Sequence, residues 1–403
     1  MNLNHHDDHS NSLSGPFQNS HLVIEGGSNT ATGGSNNAAA VLSHEGNHHN
    51  DFESNVDIPV SRSTKIFALC AALNSCNLGF DIGVNTSAGQ LLQDADSLAL
   101  STTQLEIFNG SLNLFAAFGA LTASAISDRF GRRRGFIVAA IGFIFGVLIM
   151  TFAQSYAFLM FGRVFVGLGV GFGLAIDPIY IAEISPAKHR GRLVTWSEIA
   201  LNVGILIGFS SGLIFNNFQP DSAWRLMFGM GTIMPMTMIA LVVWVMPESP
   251  RWLVKEGREV EAEQILSLVY PEGYNTSAVV NEIKDAITRE EAAEQSIGWG
   301  VILSPSPAYK RMLFVGLGAA IAQQLVGIDA VQYFMMYIIE RTGIESRTTQ
   351  SLILILLGLL KLAVIFIAGN LFDSRGRRPL ICMSLIGKHV PQICIVLLVL
   401  IQF

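Results

Sequence analysis

Two stretches of this chain, SDRFGRRRG at 127–135 and FDSRGRRPL at 372–380, carry the same pattern of an Asp, two residues, Gly, Arg and Arg. Each stretch lies between long apolar runs. We call them the first and the second charged turn. Basic loops between membrane helices are common, but chance does not repeat the Asp and the Gly at fixed offsets. The recurrence therefore indicates two related halves.

The composition indicates a membrane protein. Half of the 403 residues are hydrophobic and 14% are charged, whereas soluble domains carry charge on about 25% of positions. A spanning helix needs about 20 mostly apolar residues. Nine runs meet this requirement, at 64–89, 103–126, 135–152, 156–180, 193–216, 225–246, 311–338, 350–372 and 379–401. The sequence therefore predicts an all-α polytopic membrane protein with about nine spans.

The charged turns follow the second and the eighth run, so they are six runs apart. This spacing is typical of a duplicated six-helix unit. Lys and Arg collect on cytoplasmic loops, and most of the 25 basic residues fall on one side if the N-terminus is cytoplasmic. Both charged turns are then predicted at the cytoplasmic ends of helices.

Four segments are predicted from these patterns. Residues 1–62 are rich in Asn, His, Ser and Gly, and we expect a disordered cytoplasmic tail. Its histidines have loose spacing, so we expect solvated polar sequence and no metal site. Residues 63–246 form an N-terminal six-helix bundle, 247–310 a cytoplasmic helical insert, and 311–403 a partial C-terminal bundle of three helices.

An ordered series of motifs resembles one known family. The series comprises FDIGV at 80–84, DRFGRR at 128–133, GRVFVGLGVGFG at 162–173, PIYIAEISPAKHRG at 178–191, PESPRWL at 247–253, QQLVGIDAV at 323–331 and DSRGRRPL at 373–380. In this order the motifs resemble the sugar porters of the major facilitator superfamily, most nearly the plant polyol and monosaccharide proton symporters. The resemblance implies a twelve-helix fold, so we expect the last three helices to be missing from this chain.

Asp81 and Arg163 are two of the charged residues inside predicted spans, where an ionisable side chain costs at least about 2.5 kcal/mol. Counting about 1.5 Å per residue places Asp81 and Arg163 at similar depths in the outer part of the membrane, so we expect them to pair. An Asp that alternately pairs with Arg and takes up a proton can couple proton movement to transport. The resemblance assigns this proton-coupling role to both residues, and the alternative is a static ion pair that joins two helices.

Polar side chains at mid-membrane are the candidate substrate ligands. In the family, the Gln pair that matches Gln323 and Gln324 contacts sugar hydroxyls, and the polyol branch has acids at the positions of Asp329 and Glu198. Asn202 lies one helical turn beyond Glu198, on the same face. The alternative for all five is hydrogen bonding between helices.

The charged turns and nearby acids are predicted to form a releasable cytoplasmic gate. Its members share a position at the inner ends of helices: Asp128, Arg129, Gly131, Arg132, Arg133, Glu183, Arg190, Glu248, Arg251, Asp373, Arg375, Gly376, Arg377 and Arg378. We expect Glu183 to pair with Arg190 and Glu248 with Arg251, as exposed pairs worth about 0 to 1 kcal/mol each. The alternative, a pure orientation signal, explains the Arg but not the repeated Asp and Gly.

The sequence thus predicts secondary active transport of a polyol or monosaccharide by proton symport. A truncated non-transporting form and a membrane sugar sensor on the same scaffold remain open. No nucleophile, base and orienting residue occur together outside the spans, so we expect no enzyme. We further expect no cofactor, no metal and no nucleic acid, and a monomer in the bilayer of the plasma membrane. Asp177 and Lys361, both within spans, are left without a role.

Overall fold

The computed structural model describes residues 60–297, 307–325, 327–344 and 346–375. Within these ranges it leaves out the side chains at 293–297, 308–309, 319, 322–325, 328–330 and 368–375. The described residues belong to one compact unit, Val56–Phe403. The predicted run at 379–401 and residues 1–59 of the predicted tail lie outside them.

Every element in the described ranges is a helix. The first bundle contains α1 Arg62–Asp94, α2 Thr102–Phe130, α3 Arg132–Thr151, α4 Tyr156–Ile184, α5 Arg190–Ile214, α6 Pro220–Met230 and α7 Ile233–Trp244. A short 3-10 helix, Ala187–His189, precedes α5. Together α6 and α7 make the sixth crossing, so the six runs predicted for this bundle are all helical.

These helices run alternately between two ends of the bundle. At one end, which we call the Asp94 end, the Tyr156 hydroxyl donates to the carbonyl of Gln104 at 3.3 Å. At the other, the Arg132 end, the indole N–H of Trp252 donates to the carbonyl of Asp128 at 2.9 Å. The Arg132 end carries the first charged turn and is the predicted cytoplasmic side.

Three helices lie in the predicted insert, namely α8 Pro250–Lys255, α9 Glu259–Val269 and α10 Thr276–Ile297. Ala262 and Leu266 of α9 are buried in the same cluster as Phe136 and Tyr180 of the bundle. The apolar face of the insert therefore packs on the Arg132 end instead of standing free in solvent.

The seventh predicted run, 311–338, is not one continuous helix. The structure divides it into α11 Pro307–Leu325, α12 Ile328–Tyr333 and α13 Met335–Arg341. Gly327 has a φ of 64°, a left-handed conformation that interrupts a helix and that glycine adopts without steric cost. The last described helix, α14 Arg347–Arg375, packs along α5. Seven helical segments of the described chain are long and apolar enough to cross a membrane, and 311–338 is not among them.

Close contact between α1 and α5 depends on glycine. A Cβ atom on Gly79 would lie 1.8 Å from the backbone oxygen of Leu201, and one on Gly204 would lie 2.2 Å from that of Cys76. The glycine-rich α4 also packs closely against α2, since a Cβ on Gly171 would lie 1.9 Å from the oxygen of Ala116. Small residues of this kind let membrane helices approach backbone to backbone.

We expect Gly79→Ala to destabilise the bundle, because its methyl group meets rigid backbone and forces α1 and α5 apart. Overpacking of this kind costs about 1 to 3 kcal/mol or more. Gly110→Ala is the matched control, since nothing lies within 4 Å of its Cβ position and alanine favours a helix by up to about 1 kcal/mol. Denaturation of the purified variants in detergent measures both, and equal stability would contradict the packing argument.

Candidate functional site

A buried ion pair joins α1 to α4. The Arg163 Nη1 atom lies 2.7 Å from Oδ1 and 2.9 Å from Oδ2 of Asp81. Side-chain exposure is 0% for Arg163 and 2% for Asp81. The predicted contact between the two residues is thus present. Because the pair is shielded from water, the attraction between the carboxylate and the guanidinium is strong. Protonation of the carboxylate would weaken this attraction.

The guanidinium of Arg163 has further partners on α2. Its Nε donates to the carbonyl of Phe108 at 3.2 Å, and its central carbon lies 4.5 Å from the centre of the Phe108 ring. Its Nη2 has no hydrogen-bond partner in the described part of the chain. Arg163 therefore stays fixed by α2 while one of its donors is unused.

Asn202 of α5 is buried and forms one edge of a cavity. Its amide nitrogen donates to the Glu198 carbonyl at 2.8 Å and contacts Glu198 Oε1 at 3.2 Å. The Glu198 side chain is otherwise exposed. The structure therefore places these two candidates together, with Asn202 facing the cavity.

The cavity has a volume of about 150 Å³ and lies between α5, the α12–α13 segment and α14. It is lined by Asn202, Ile205, Phe209, Val331, Gln332, Met335, Leu354, Leu357, Gly358 and Lys361. The Oδ1 of Asn202 and the Nε2 of Gln332 are buried without a partner among the described residues. An unused acceptor and an unused donor in a mostly apolar cavity suit a small hydroxylated ligand.

Sequence reasoning missed Gln332 and gave Lys361 no role. The ammonium group of Lys361 approaches Gln332 Oε1 at 3.4 Å. A charged residue within an apolar run was the signal that could have directed attention to this wall of the cavity.

Three predicted ligands remain untested by the geometry. The backbones of Gln323 and Gln324 lie in α11 and that of Asp329 in α12, but their side chains are outside the described part of the structure.

A set of polar contacts at the Asp94 end joins α1 to the later helices. The amide of Gln90 donates to Glu340 at 2.8 Å, the Tyr337 hydroxyl donates to Gln93, and Arg347 pairs with Asp94. We call these contacts the Asp94-end latch. They tie α1 to α13 and α14. No pattern in the sequence indicates them, because polar residues at helix ends are also common as solvated side chains.

The first charged turn is organised around Arg132. Its Nε and Nη2 atoms bind the two oxygens of Glu183 at 3.0 and 2.9 Å, while Nη1 lies 2.6 Å from Asp128 and 3.1 Å from the carbonyl of Ser127. The Arg132 side chain is 11% exposed and that of Glu183 9%. We call Arg132, Glu183 and Asp128 the Arg132 cluster.

Two predicted partners of this region were wrong. Glu183 pairs with Arg132 rather than Arg190, which is exposed. Arg251 pairs with Glu290 of α10, and not with Glu248. The rotation of each helix decides which charges meet, and charge spacing along the chain does not determine it. The prediction of weak exposed pairs also fails for Arg132 and Glu183, because both are almost fully buried.

Glu248 instead caps the start of α3. One carboxylate oxygen accepts the backbone N–H groups of Arg132 at 2.8 Å and Ser249 at 3.0 Å, and Arg133 donates to both oxygens at 3.1 and 3.3 Å. Burial raises the pKa of the Glu248 carboxyl, and these backbone hydrogen bonds act against the rise. An acid at this position suits the positive end of the helix dipole.

Gly131 makes this cap sterically possible. It has a φ of 94°, and a Cβ atom there would lie 2.4 Å from Glu248 Oε2. The glycine therefore permits the tight turn between α2 and α3. Arg133 extends the connection by donating to the carbonyl of Val242 at 2.8 Å, so α3 is held to the end of α7.

The remaining predicted gate residues are Arg129 and those of the second charged turn. Arg129 lies over the ring of its neighbour Phe130 at 5.5 Å. In the second charged turn, the side chains of Asp373 and Arg375 lie outside the described part, as do Gly376, Arg377 and Arg378 altogether.

Comparison with known proteins gives a consistent set of relatives. Residues 67–402 match a family model described as "Sugar (and other) transporter". Probable polyol transporter 4 of Arabidopsis thaliana is 37% identical over 338 residues, which are 83% of this chain and 64% of the relative. Polyol transporter 5 of the same plant is 35% identical over 344 residues, 82% of this chain and 63% of the relative. This chain thus spans slightly less than two thirds of these relatives.

Among solved structures, the proton:xylose symporter XylE bound to 6-bromo-6-deoxy-D-glucose, a major facilitator protein, aligns with a TM-score of 0.68. It is 25% identical, and the alignment covers 79% of this chain and 71% of that one. A partially occluded inward open form of XylE from E. coli aligns with a TM-score of 0.63 at 24% identity, covering 79% and 75% of the two chains.

Proposed function

This chain belongs to the sugar transporter family of the major facilitator superfamily, and we propose that it carries a polyol or monosaccharide across a membrane together with a proton. It is an integral membrane protein. The relatives named above are transporters and not enzymes. The polyol transporters and the xylose symporter support the class of solute.

The buried pair of Asp81 and Arg163 is the observation that carries the proposal of proton coupling. The carboxylate is ionised while it holds the guanidinium and loses that attraction when it takes a proton. The contacts of Arg163 with Phe108 do not involve the Asp81 carboxylate, so protonation of Asp81 can release α1 from α4 without freeing the arginine. A proton can therefore change how the two helices are held.

The cavity beside Asn202 and Gln332 is the proposed part of the solute site. Its unused amide acceptor and donor suit hydroxyl groups, and the apolar remainder suits the carbon face of a polyol or sugar ring. Glu198 holds the Asn202 amide nitrogen, and the amide oxygen is left without a partner among the described residues. Gln323, Gln324 and Asp329 are proposed as further ligands on the basis of the sequence.

Uptake by transport-deficient cells that express this chain tests the proposal. Labelled sorbitol, inositol, xylose and glucose are offered separately, at two external pH values. We expect at least one to accumulate, and more strongly at the lower external pH. Uptake that ignores pH would contradict symport, and no uptake by chain inserted in the membrane would favour the non-transporting alternatives.

The Asp94-end latch and the Arg132 cluster lie at opposite ends of the described structure. We propose that the Asp94 end must open and close during each cycle. The contact of Gln90 with Glu340 and the pair of Arg347 with Asp94 are exposed, and an exposed ion pair is worth only about 0 to 1 kcal/mol. The Arg132 cluster is proposed to keep the inner ends of α2, α3 and α4 together. The two ends thus differ in the strength of their polar contacts.

Joining α1 to α13 across the Asp94-end latch is expected to stop transport. In a Gln90→Cys, Glu340→Cys variant, a cleavable bifunctional thiol reagent should abolish uptake, and cleavage of the reagent should restore it. The single variant Gln90→Cys, treated identically, should lose none of its uptake to the reagent. Undiminished uptake by the cross-linked pair would contradict the opening of this end.

A further inference from the structure

Asp177 of α4 lies at a junction of three helices and takes no part in the sites described above. Its side chain is 0% exposed. The Ser75 hydroxyl of α1 donates to one carboxylate oxygen, and the Ser197 hydroxyl of α5 donates to the other at 3.1 Å. The carboxyl group thus lies between α1, α4 and α5, within a span.

No cation in the described part of the chain pairs with Asp177. In the described part of the chain its hydrogen-bond partners are these two hydroxyls, and it has no ion pair there. Titratable or charged groups on the helices of this region include Cys70, Cys76 and Asp81 on α1, Asp128 on α2, Arg132 on α3, Tyr180 and Glu183 on α4, Glu198 on α5, and Arg251 and Lys255 on α8. The guanidinium of Arg132 is bound to Glu183 and Asp128.

Asp81 and Asp177 therefore differ in how their charge is compensated. Asp81 is buried against Arg163 and has a counter-charge. Asp177 is equally buried but has hydroxyl groups in place of a cation. A carboxylate removed from water without a counter-charge is strongly disfavoured, and such a group takes up a proton instead.

The two serines suit both states of the acid. A hydroxyl is a donor as well as an acceptor, so Ser75 and Ser197 can donate to an ionised carboxylate, and one of them can accept from a protonated one. They need only rotate about the Cβ–Oγ bond for this change. The junction can thus exchange a proton without rearranging a helix.

We propose that Asp177 is a second proton-binding site of this protein, separate from the pair of Asp81 and Arg163, with Ser75 and Ser197 as its hydrogen-bonding partners. It holds a proton at neutral pH and releases it when the pH rises. The observations that carry this site do not depend on transport, so it stands or falls independently of the proposed function.

Infrared spectroscopy of the purified chain tests the site directly. A protonated buried carboxyl gives a C=O stretching band that moves on transfer to heavy water. We expect the full chain to show this band at neutral pH and to lose it reversibly as the pH is raised. Asp177→Asn should remove the band, whereas Glu198→Gln, which changes an exposed carboxyl one residue from Ser197, should leave it unchanged.

A second variant keeps the test valid if Asp177→Asn does not fold. Ser197→Ala removes a hydrogen bond that favours the ionised carboxylate, so the band should persist to a pH higher by about one unit. A purely structural role for the Ser197 contact would not move the titration of the band. An unmoved titration in Ser197→Ala would overturn the proposal.

Two other results would also overturn it. If Asp177→Asn folds and the neutral-pH band survives unchanged, the proton belongs to another group. If sodium chloride removes the band at constant pH while potassium chloride does not, the carboxylate and its two hydroxyls bind sodium, and the junction is a metal-ion site rather than a proton site.

Discussion

Asp81→Asn is expected to abolish pH-driven accumulation of solute while the exchange of labelled for unlabelled solute continues. An asparagine keeps the size of the aspartate and can still hydrogen-bond Arg163, but it cannot take up or release a proton. With one proton carried per solute, a gradient of one pH unit sustains an about tenfold accumulation. In the variant this ratio should fall to simple equilibration.

The measurement uses proteoliposomes that contain the purified protein and an imposed pH gradient. Accumulation and exchange are recorded in the same preparation, so that a misfolded variant is recognised by the loss of both. Asp96→Asn is the matched control, since it makes the same chemical change at an exposed carboxyl near the end of α1. It should accumulate solute like the unchanged protein.

Full accumulation by Asp81→Asn would reject the coupling role and leave a static ion pair. If the pair is static, Asp81→Asn and Asp96→Asn should accumulate solute to the same extent under the pH gradient. A carboxylate bound to an arginine stabilises helix contacts whether or not it titrates, so the response to the pH gradient is the readout that separates the two roles.

The sequence was sufficient to predict the pair itself. An acid and a base inside apolar runs each need a partner, and counting the helical rise placed Asp81 and Arg163 at one depth. The six spans of the first bundle could also be predicted, because a helix that crosses lipid needs a long apolar run. Both predictions depend on distances along helices, which the sequence contains.

Features that depend on helix rotation or on backbone conformation were not predicted. The break after α11 requires a left-handed backbone conformation at Gly327. A hydropathy pattern does not indicate backbone conformation. The contact of Gln90 with Glu340 joins residues 250 positions apart, and nothing in the sequence around either residue indicates the other. The junction at Asp177 needs two serines from different helices, so the sequence could identify the acid but not its surroundings.

Arg132 shows the same limit at a charged site. The repeated charged turn drew attention to it, but the expected weak gate became a buried cluster, since Glu183 approaches from α4 and covers it. Burial changes the energy of the contact. An exposed ion pair contributes about 0 to 1 kcal/mol, whereas removing one partner from a buried pair costs about 3 to 5 kcal/mol.

Arg132→Ala is accordingly expected to destabilise the folded protein by about 3 to 5 kcal/mol. The substitution leaves the Glu183 carboxylate buried without its two guanidinium donors and also removes a donor from the carbonyl of Ser127. Arg134→Ala is the matched control from the same turn. Arg134 is exposed, so its loss should change stability by no more than about 0.5 kcal/mol.

Denaturation in detergent micelles measures both variants, and the double variant Arg132→Met, Glu183→Gln separates charge from packing. It removes both charges together, so it should recover part of the stability lost in Arg132→Ala. If Arg132→Ala and Arg134→Ala are equally mild, the Arg132 cluster is as weak as an exposed latch. Its proposed role in holding the inner ends of α2, α3 and α4 together would then be wrong, and the first charged turn would be a gate that opens as readily as the Asp94 end.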